Sequence, residues 1–446
     1  MDHSVRRWTT RGIATILIVG AIAFVALGAG GIVAWEYSNS DQFCATTCHS
    51  VHPEEIRQHM VSTHANVKCV ECHIGRLSTL HMMALKPEHA KELWGMIVGY
   101  ERPMTSTTLR PSRQNCEGCH NPAAEHHDSV AVIKHYASDP PSTETMTRLT
   151  LHTGVGEVRE KKARGIHWHI INDVEFISLD PQRRTIPWVQ IKYADGKTTT
   201  YVDPTAKVSQ EDLKKAQPRR IECFDCHNQV GHPFANPADQ VDEAIALGEI
   251  DRSLPSTKAR ALALIDKASK LYGDPKDLAP QFEKLIAESA PQGEQSDDVK
   301  AKEKKFAAAM KRILLASSFS RPELSWKSFP KQTGHKDFLG CFRCHDGKHL
   351  NEQGEAIRLQ CTLCHDLPQV KQEGGKGSVQ STVMAGLSPP PSHNEPNFMR
   401  DHRTRLDDSC TGCHGKLEFG RDGGNFCANP ACHGRKYPGV SLAAKP

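Results

Sequence analysis

The longest apolar run in the chain lies near its start. From Gly12 to Trp35 there are twenty-four residues without a charge, and at 1.5 Å per residue a helix of that length crosses a hydrocarbon core of about 30 Å. This predicts a membrane-spanning helix rather than a cleaved signal peptide, whose apolar region is roughly 7–15 residues. Arg6, Arg7 and Arg11 precede the run and Glu36 follows it, so the positive-inside rule puts the N-terminus in the cytoplasm, with Trp8, Trp35 and Tyr37 at the two interfaces. Ala26, Gly30 and Ala34 form a small-residue stripe suited to packing against a membrane helix of another subunit or of a second copy.

Beyond the anchor the pattern shifts several times. Residues 74–103 are amphipathic: Leu77, Leu80 and Leu85 come first, Pro87 and Glu88 offer a helix start, and Leu93, Trp94, Ile97 and Val98 follow. Helices there are expected to lie along the membrane surface or to pack on cofactors. His167–Leu179 and Thr185–Tyr193 are rich in β-branched and aromatic residues, and the turn Ala194-Asp195-Gly196 leads into Lys197–Val202, which predicts a small antiparallel sheet. Pro237–Ser318 has helical periodicity, with Leu262, Leu264, Ile265 and Leu271 on one helix and Phe306, Met310, Ile313 and Leu314 on another. Breaks near Ser253, Gly273 and Gly293 divide it into three or four short helices. The last hundred residues show little regular pattern and contain a Gly/Ser/Pro-rich linker from Gly374 to Ser392.

Only 38% of the 446 residues are hydrophobic, low for such a length, and the sixteen cysteines change the picture. They fall in eight pairs, Cys44/Cys48, Cys69/Cys72, Cys116/Cys119, Cys223/Cys226, Cys341/Cys344, Cys361/Cys364, Cys410/Cys413 and Cys427/Cys432, with none left over. Each second cysteine is followed by a histidine: His49, His73, His120, His227, His345, His365, His414 and His433. Zinc sites use cysteine pairs but have no need of a histidine directly after each one. Cys-x-x-Cys-His is the attachment signal of c-type haem, in which two thioethers hold the porphyrin and the histidine binds iron. The first motif is one residue longer and the eighth two residues longer than the standard spacing. Eight covalently bound haems follow, and haem attachment outside the cytoplasm agrees with an anchor whose soluble body is periplasmic.

Haem also reverses the reading of charge. An oxidised c haem with its two propionates contributes about −1, so eight of them carry the formal +4 to about −4. Lysines and arginines then serve propionates and solubility, and nucleic-acid binding is excluded. Seventeen of the 25 histidines remain after the motif histidines are removed, enough to close every iron. Positions close to the motifs favour His64, His127, His169, His232, His335, His349, His393 and His402 as distal ligands, with His126 an alternative to His127 and His167 to His169. His167 and His169 lie two apart on one face of a predicted strand. Bis-histidine ligation makes low-potential relays suited to electrons from menaquinol.

The first 135 or so residues resemble the NapC/NirT family of membrane-anchored multihaem quinol dehydrogenases. The resemblance rests on the anchor, the paired early motifs, Ser62-Thr63-His64-Ala65 before Cys69, and Lys91-Glu92-Leu93-Trp94-Gly95 before Cys116. It implies a first haem at the membrane surface beside a quinol pocket built from Lys86, Lys91 and Glu92, and Glu92 as proton acceptor. The family's methionine ligand two residues after the first motif histidine is replaced by Val51, which makes His52 the candidate for that iron. Gly340–His349, Glu222–His227 and His232-Pro233-Phe234 are similar to enlarged inner-membrane multihaem cytochromes of bacteria that respire extracellular or periplasmic acceptors.

The expected fold is a multihaem cytochrome c: one N-terminal transmembrane helix, then mainly short helices and loops packed on eight haems, with a small antiparallel β insertion. Its expected segments are the anchor (1–38), a NapC/NirT-like domain with haems one to three (39–140), a haem-free β-rich insertion (141–220), haem four with a helical segment (221–320), and a C-terminal domain with haems five to eight (321–446). The expected function is oxidation of menaquinol from the membrane pool and delivery of electrons to a periplasmic cytochrome or reductase. The rival readings are an electron-transfer subunit of a larger membrane complex with no quinol site of its own, and a reductase of nitrite, hydroxylamine or a sulfur oxyanion. The reductase needs an open iron, which the histidine supply disfavours.

Overall fold

The computed structural model describes residues 3–48, 53–86, 94–95, 98–99, 111–121, 127–154, 165–193, 195–360, 363–366, 368–374 and 395–398. The chain divides into two compact units, Met1–Glu101 with Thr108–Arg110, and Arg102–Thr107 with Pro111–Pro446.

In the first unit, α1 (His3–Ser38) contains the apolar run. An 18-residue window within its stretch Gly12–Ser38 has a mean hydropathy of 2.6, and none of that window is buried inside the chain, as expected of a helix whose solvent is lipid. Ser40 ends the connection by accepting from Phe43 N at 3.1 Å, capping α2 (Asp41–Phe43), which runs straight into a π turn at Cys44–Cys48. Three short helices follow: α3 (Glu54–Met60), α4 (Cys69–His73) and α5 (Thr79–Leu85). Asp41 Oδ1 accepts from Cys69 N at 2.9 Å and so fastens the first motif to the second. Of the amphipathic stretch 74–103, α5 supplies the first turns, while Pro87, Glu88, Leu93 and Ile97 lie outside the described residues.

The second unit opens with α6 (Ser112–Asn115) and a hairpin, β1 (Ser129–Tyr136) against β2 (Glu144–Leu151). The sequence reading assigned no strands there, although Val130, Val132 and Ile133 supply the β-branched run. A distant strand, β7 (Gln369–Gln372), completes this sheet on β2. The expected sheet forms in the order β5-β4-β3-β6, from β3 (Asp173–Ile177), β4 (Trp188–Lys192), β5 (Thr198–Val202) and β6 (Arg219–Arg220). Its first expected strand starts late, because His167–Ile171 is not extended. Ile170 N donates to His167 O at 3.0 Å, and α7 (Trp168–Ile171) forms instead. Arg113 and Arg220 take the carbonyl of Ile170 at 3.3 and 3.5 Å, so tertiary hydrogen bonds close a turn that local β-propensity opposes. Next come α8 (Gln210–Lys215) and the motif helix α9 (Cys223–Cys226).

Four helices then make the largest apolar core: α10 (Pro237–Ala246), α11 (Thr257–Ala268), α12 (Pro275–Glu288) and α13 (Asp297–Ala316). Asn236, Asp274 and Ser296 cap three of them, with proline at the first position of α10 and α12. Val241, Leu264, Phe282, Phe306, Met310 and Ile313 meet in the interior. One ion pair is buried against the hairpin: Lys258 Nζ donates to Asp242 Oδ1 at 2.6 Å, and both side chains are at most 5% exposed. His135 Nδ1, at 2.6 Å, and Tyr136 N, at 3.1 Å, complete the carboxylate's partners.

Candidate haem sites and the interfacial cleft

None of the ten cysteines whose side chains are described is in a disulfide, although several lie close together. The thiols of Cys44 and Cys69 share a hydrogen bond that lowers the first and raises the second. A bond from Cys116 lowers Cys223 to about 7 before any thioether forms. Motifs one and two thus adjoin in the first unit, and motifs three and four in the second.

Motifs four and five are tied through their middle residues. Asp225 of Cys223-Phe-Asp-Cys-His lies between Arg183 at 2.9 Å and Arg219 at 3.3 Å. Arg343 of Cys341-Phe-Arg-Cys-His donates to the Asp225 carbonyl at 2.7 Å and to the Arg183 carbonyl at 3.0 Å. Burial raises the Asp225 pKa against the pull of these arginines. Nothing in the motif spacing announced this network; the opposite charges at the middle positions were its only trace.

Histidines from distant segments face one another. The ring centres of His167 and His227 are 6.3 Å apart, those of His169 and His345 5.9 Å, and those of His335 and His365 6.2 Å. Burial first, with a second imidazole nearby, lowers the pKa of His169, His227, His335 and His345, the last to about 4. Neutral imidazole is the form that binds metal. Nδ1 of His169 donates to Ile166 O at 2.8 Å, that of His345 to Arg358 O at 2.5 Å and that of His365 to Asp366 O at 2.6 Å, leaving Nε2 of each for a ligand. His167 Nδ1 is buried with no hydrogen-bond partner among the described residues.

The other expected ligands fare differently. His349 is held by hydrogen bonds: Nδ1 meets Asp346 Oδ1 at 3.0 Å and Nε2 meets Ile186 O at 2.6 Å. Both partners are acceptors, and the hydrogen bond with the Asp346 carboxylate raises the His349 pKa against the opposing effect of burial. His64 Nδ1 is 3.1 Å from Thr63 Oγ1, His127 is exposed and His232 half-buried. His73, Cys72, Cys119 and His120 are described within motifs two and three, and Cys364 in motif six. His49, His52, Lys91, Glu92, His126, Cys361, His393, His402, Cys410, Cys413, His414, Cys427, Cys432 and His433, with the Cys48 side chain, lie outside the described residues.

At the end of α1 a cleft of about 470 Å³ is lined by Trp35, Glu36, Asn39, Ser40, Asp41, Lys68, Val70, Thr79 and Met82. Lys86 stands against its wall, with Nζ 4.4 Å from the centre of the Trp35 ring and donating to Ser38 O at 3.1 Å and Ser38 Oγ at 2.5 Å. Burial lowers the Lys86 pKa, opposed by the nearby Cys44.

The N-terminal-region profile of the NapC/NirT cytochrome c family matches residues 6–157. The cytochrome c-type protein ImcH of Geobacter sulfurreducens is 33% identical over 350 residues, 77% of this chain and 68% of that protein. The chain belongs to the NapC/NirT cytochrome c family. This cytochrome is also 29% identical to the denitrification system component NirT of Stutzerimonas stutzeri over 171 residues, 34% of this chain and 84% of that one. No solved structure matches it. Membership makes it a membrane-anchored c-type cytochrome carrying covalently bound haem, and its work is electron transfer. The residues present fit the group: reduced thiols at the motifs, neutral facing imidazoles and, on His167, a buried ring nitrogen with no hydrogen-bond partner among the described residues are the donor set haem requires.

Proposed function

We propose that this cytochrome oxidises menaquinol at the membrane surface and passes the electrons singly along eight covalently bound haems to a periplasmic cytochrome or reductase. The observation that carries the reading is Lys86 packed on Trp35 of the cleft wall, between the last residues of the membrane-spanning stretch and the Cys44 motif. A cleft of that volume suits a small molecule, and it opens where a lipid-borne quinol arrives.

Each menaquinol releases two electrons and two protons as it becomes menaquinone. Bound haem supplies the one-electron iron couple that receives the electrons, two irons per quinol. Lys86 offers a hydrogen-bond donor to a quinol oxygen, Lys91 a second, and Glu92 accepts a proton, since a carboxylate at a low-dielectric boundary has a raised pKa suited to a base. His52 stands in for the missing methionine at the first iron. The arginines before the apolar run of α1 orient the N-terminus to the cytoplasm and the haem-bearing body to the periplasm.

Replacing Lys86 by Gln removes a charged donor, worth roughly 1.5–3 kcal/mol or about ten- to a hundredfold in rate. Haem reduction by a quinol analogue is expected to slow by that factor while dithionite still reduces every haem. An unchanged quinol rate in both Lys86→Gln and Glu92→Gln would favour a relay subunit that receives its electrons from another protein.

A further inference from the structure

We infer that His167 and His169 are distal ligands of two different haems, His167 of the one held at Cys223/Cys226/His227 and His169 of the one held at Cys341/Cys344/His345, and that His335 is the distal ligand of the haem at Cys361/Cys364/His365. The inference rests on reading the Cys-x-x-Cys-His motifs as haem attachments, and is independent of the quinol site. All six histidines lie beyond residues 6–157, the stretch that the family profile covers.

Two imidazoles that share one iron, each with its nitrogen at about 2 Å, set their ring centres roughly 6 Å apart. All three observed separations, 6.3, 5.9 and 6.2 Å, match that spacing. On His169, His345 and His365 the hydrogen bond from Nδ1 to a backbone carbonyl selects the tautomer that presents Nε2. His335 is oriented by stacking on Phe342, with centres 4.4 Å apart and planes 19° from parallel.

The helical turn is what separates the neighbours. On a strand, His167 and His169 would share a face; on a turn of roughly 100° per residue they diverge, and the structure shows one ring toward His227 and the other toward His345. One turn of backbone therefore links haem sites four and five. Arg343 donating to the Asp225 carbonyl joins the same two motifs from the other side. His335, six residues before Cys341, carries the link on to site six. With the Cys116 thiol against Cys223, sites three, four, five and six adjoin in chain order, forming one continuous path through the second unit.

The test uses the full-length holoprotein in detergent, with haem content, spin state and axial signature as readouts. His167→Ala, His169→Ala and His335→Ala are each expected to keep full haem content while turning one low-spin iron high-spin in paramagnetic resonance, with added imidazole restoring the low-spin signal. The double variant His167→Ala/His169→Ala is expected to show two high-spin irons. One high-spin iron in the double variant, or none in the single ones, overturns the pairing. His→Met at each position guards against misfolding, because it retains a ligand and is expected to raise the potential of one haem; eight unaltered potentials would overturn the assignment. Ring planes add a check: 85° for His169/His345 predicts a strongly anisotropic low-spin signal, and 32° and 33° for the other pairs predict rhombic ones. If peptide mass analysis of the unaltered protein finds no haem at Cys223, Cys341 or Cys361, the attachment reading falls and this one with it, an outcome distinct from intact haem with unchanged ligation.

Discussion

Within the second unit, α10–α13 and the histidine–cysteine segments at 167–169, 223–227 and 335–365 are neighbours in one chain with opposite interiors. In the helices, Phe282, Phe306, Met310 and Ile313 are at most 1% exposed, and the helices have proline, asparagine, aspartate and serine at their starts. Area removed from water stabilises such a group at about 25 cal/mol per Å² with no cofactor. Around the motifs the apolar cluster is small, with Val174, Phe176, Ile186 and Val189 at its centre. Its surroundings are arginine, aspartate, thiol and imidazole, groups that cost free energy to bury unless something binds them. One region is complete as polypeptide; the other is a mould for haem. The buried part of the 38% hydrophobic content is thus unevenly distributed, concentrated in the helices that carry no Cys-x-x-Cys-His motif.

The comparison breaks most readily at the buried ion pair. Lys258→Met leaves Asp242 buried without its ammonium, which costs roughly 3–5 kcal/mol, while Lys258→Met/Asp242→Leu is expected to recover most of that loss. Denaturant unfolding followed by far-ultraviolet circular dichroism reads the loss. The visible haem spectrum of the folded variant should stay as in the parent; a change in spin state before unfolding would mean that the two regions are not separable.

Gly340→Ala is the converse. Gly340 has φ +51°, and a Cβ there would press on the Gly334 carbonyl. The left-handed backbone alone costs about 1–2 kcal/mol in a residue with a side chain. The expected effect is a disturbed haem at the adjacent Cys341 motif, seen in its low-spin signal, with the helical transition unmoved.

The smallest effect concerns pH. Burial raises the Asp242 pKa, but the hydrogen bonds from His135 and Lys258 outweigh it and hold the carboxyl below its ordinary value. A depressed carboxylate contributes stability that is full above its unfolded pKa, roughly 3.9, and is lost as pH falls through the lower folded value. The helical transition should therefore weaken below about pH 4, and Asp242→Asn should flatten that dependence. An equal slope in the variant would assign the acid sensitivity to other groups.

The sequence by itself determined what is local. Length and apolarity specify the membrane-spanning helix, because backbone hydrogen bonds must close within the segment once water is absent. Haem attachment is legible because both thioethers and the proximal ligand lie within a few residues. The helices of 237–318 announce themselves by caps and a 3.6-residue period. Tertiary structure decided which histidines face one another, since His167, His169 and His335 lie against His227, His345 and His365, brought together by folding rather than spacing. It made a turn of 167–171 against the preference of its own residues, through Arg113 and Arg220. It also set both His349 nitrogens against Asp346 and Ile186, a placement that depends on which carbonyl the fold brings within 2.6 Å.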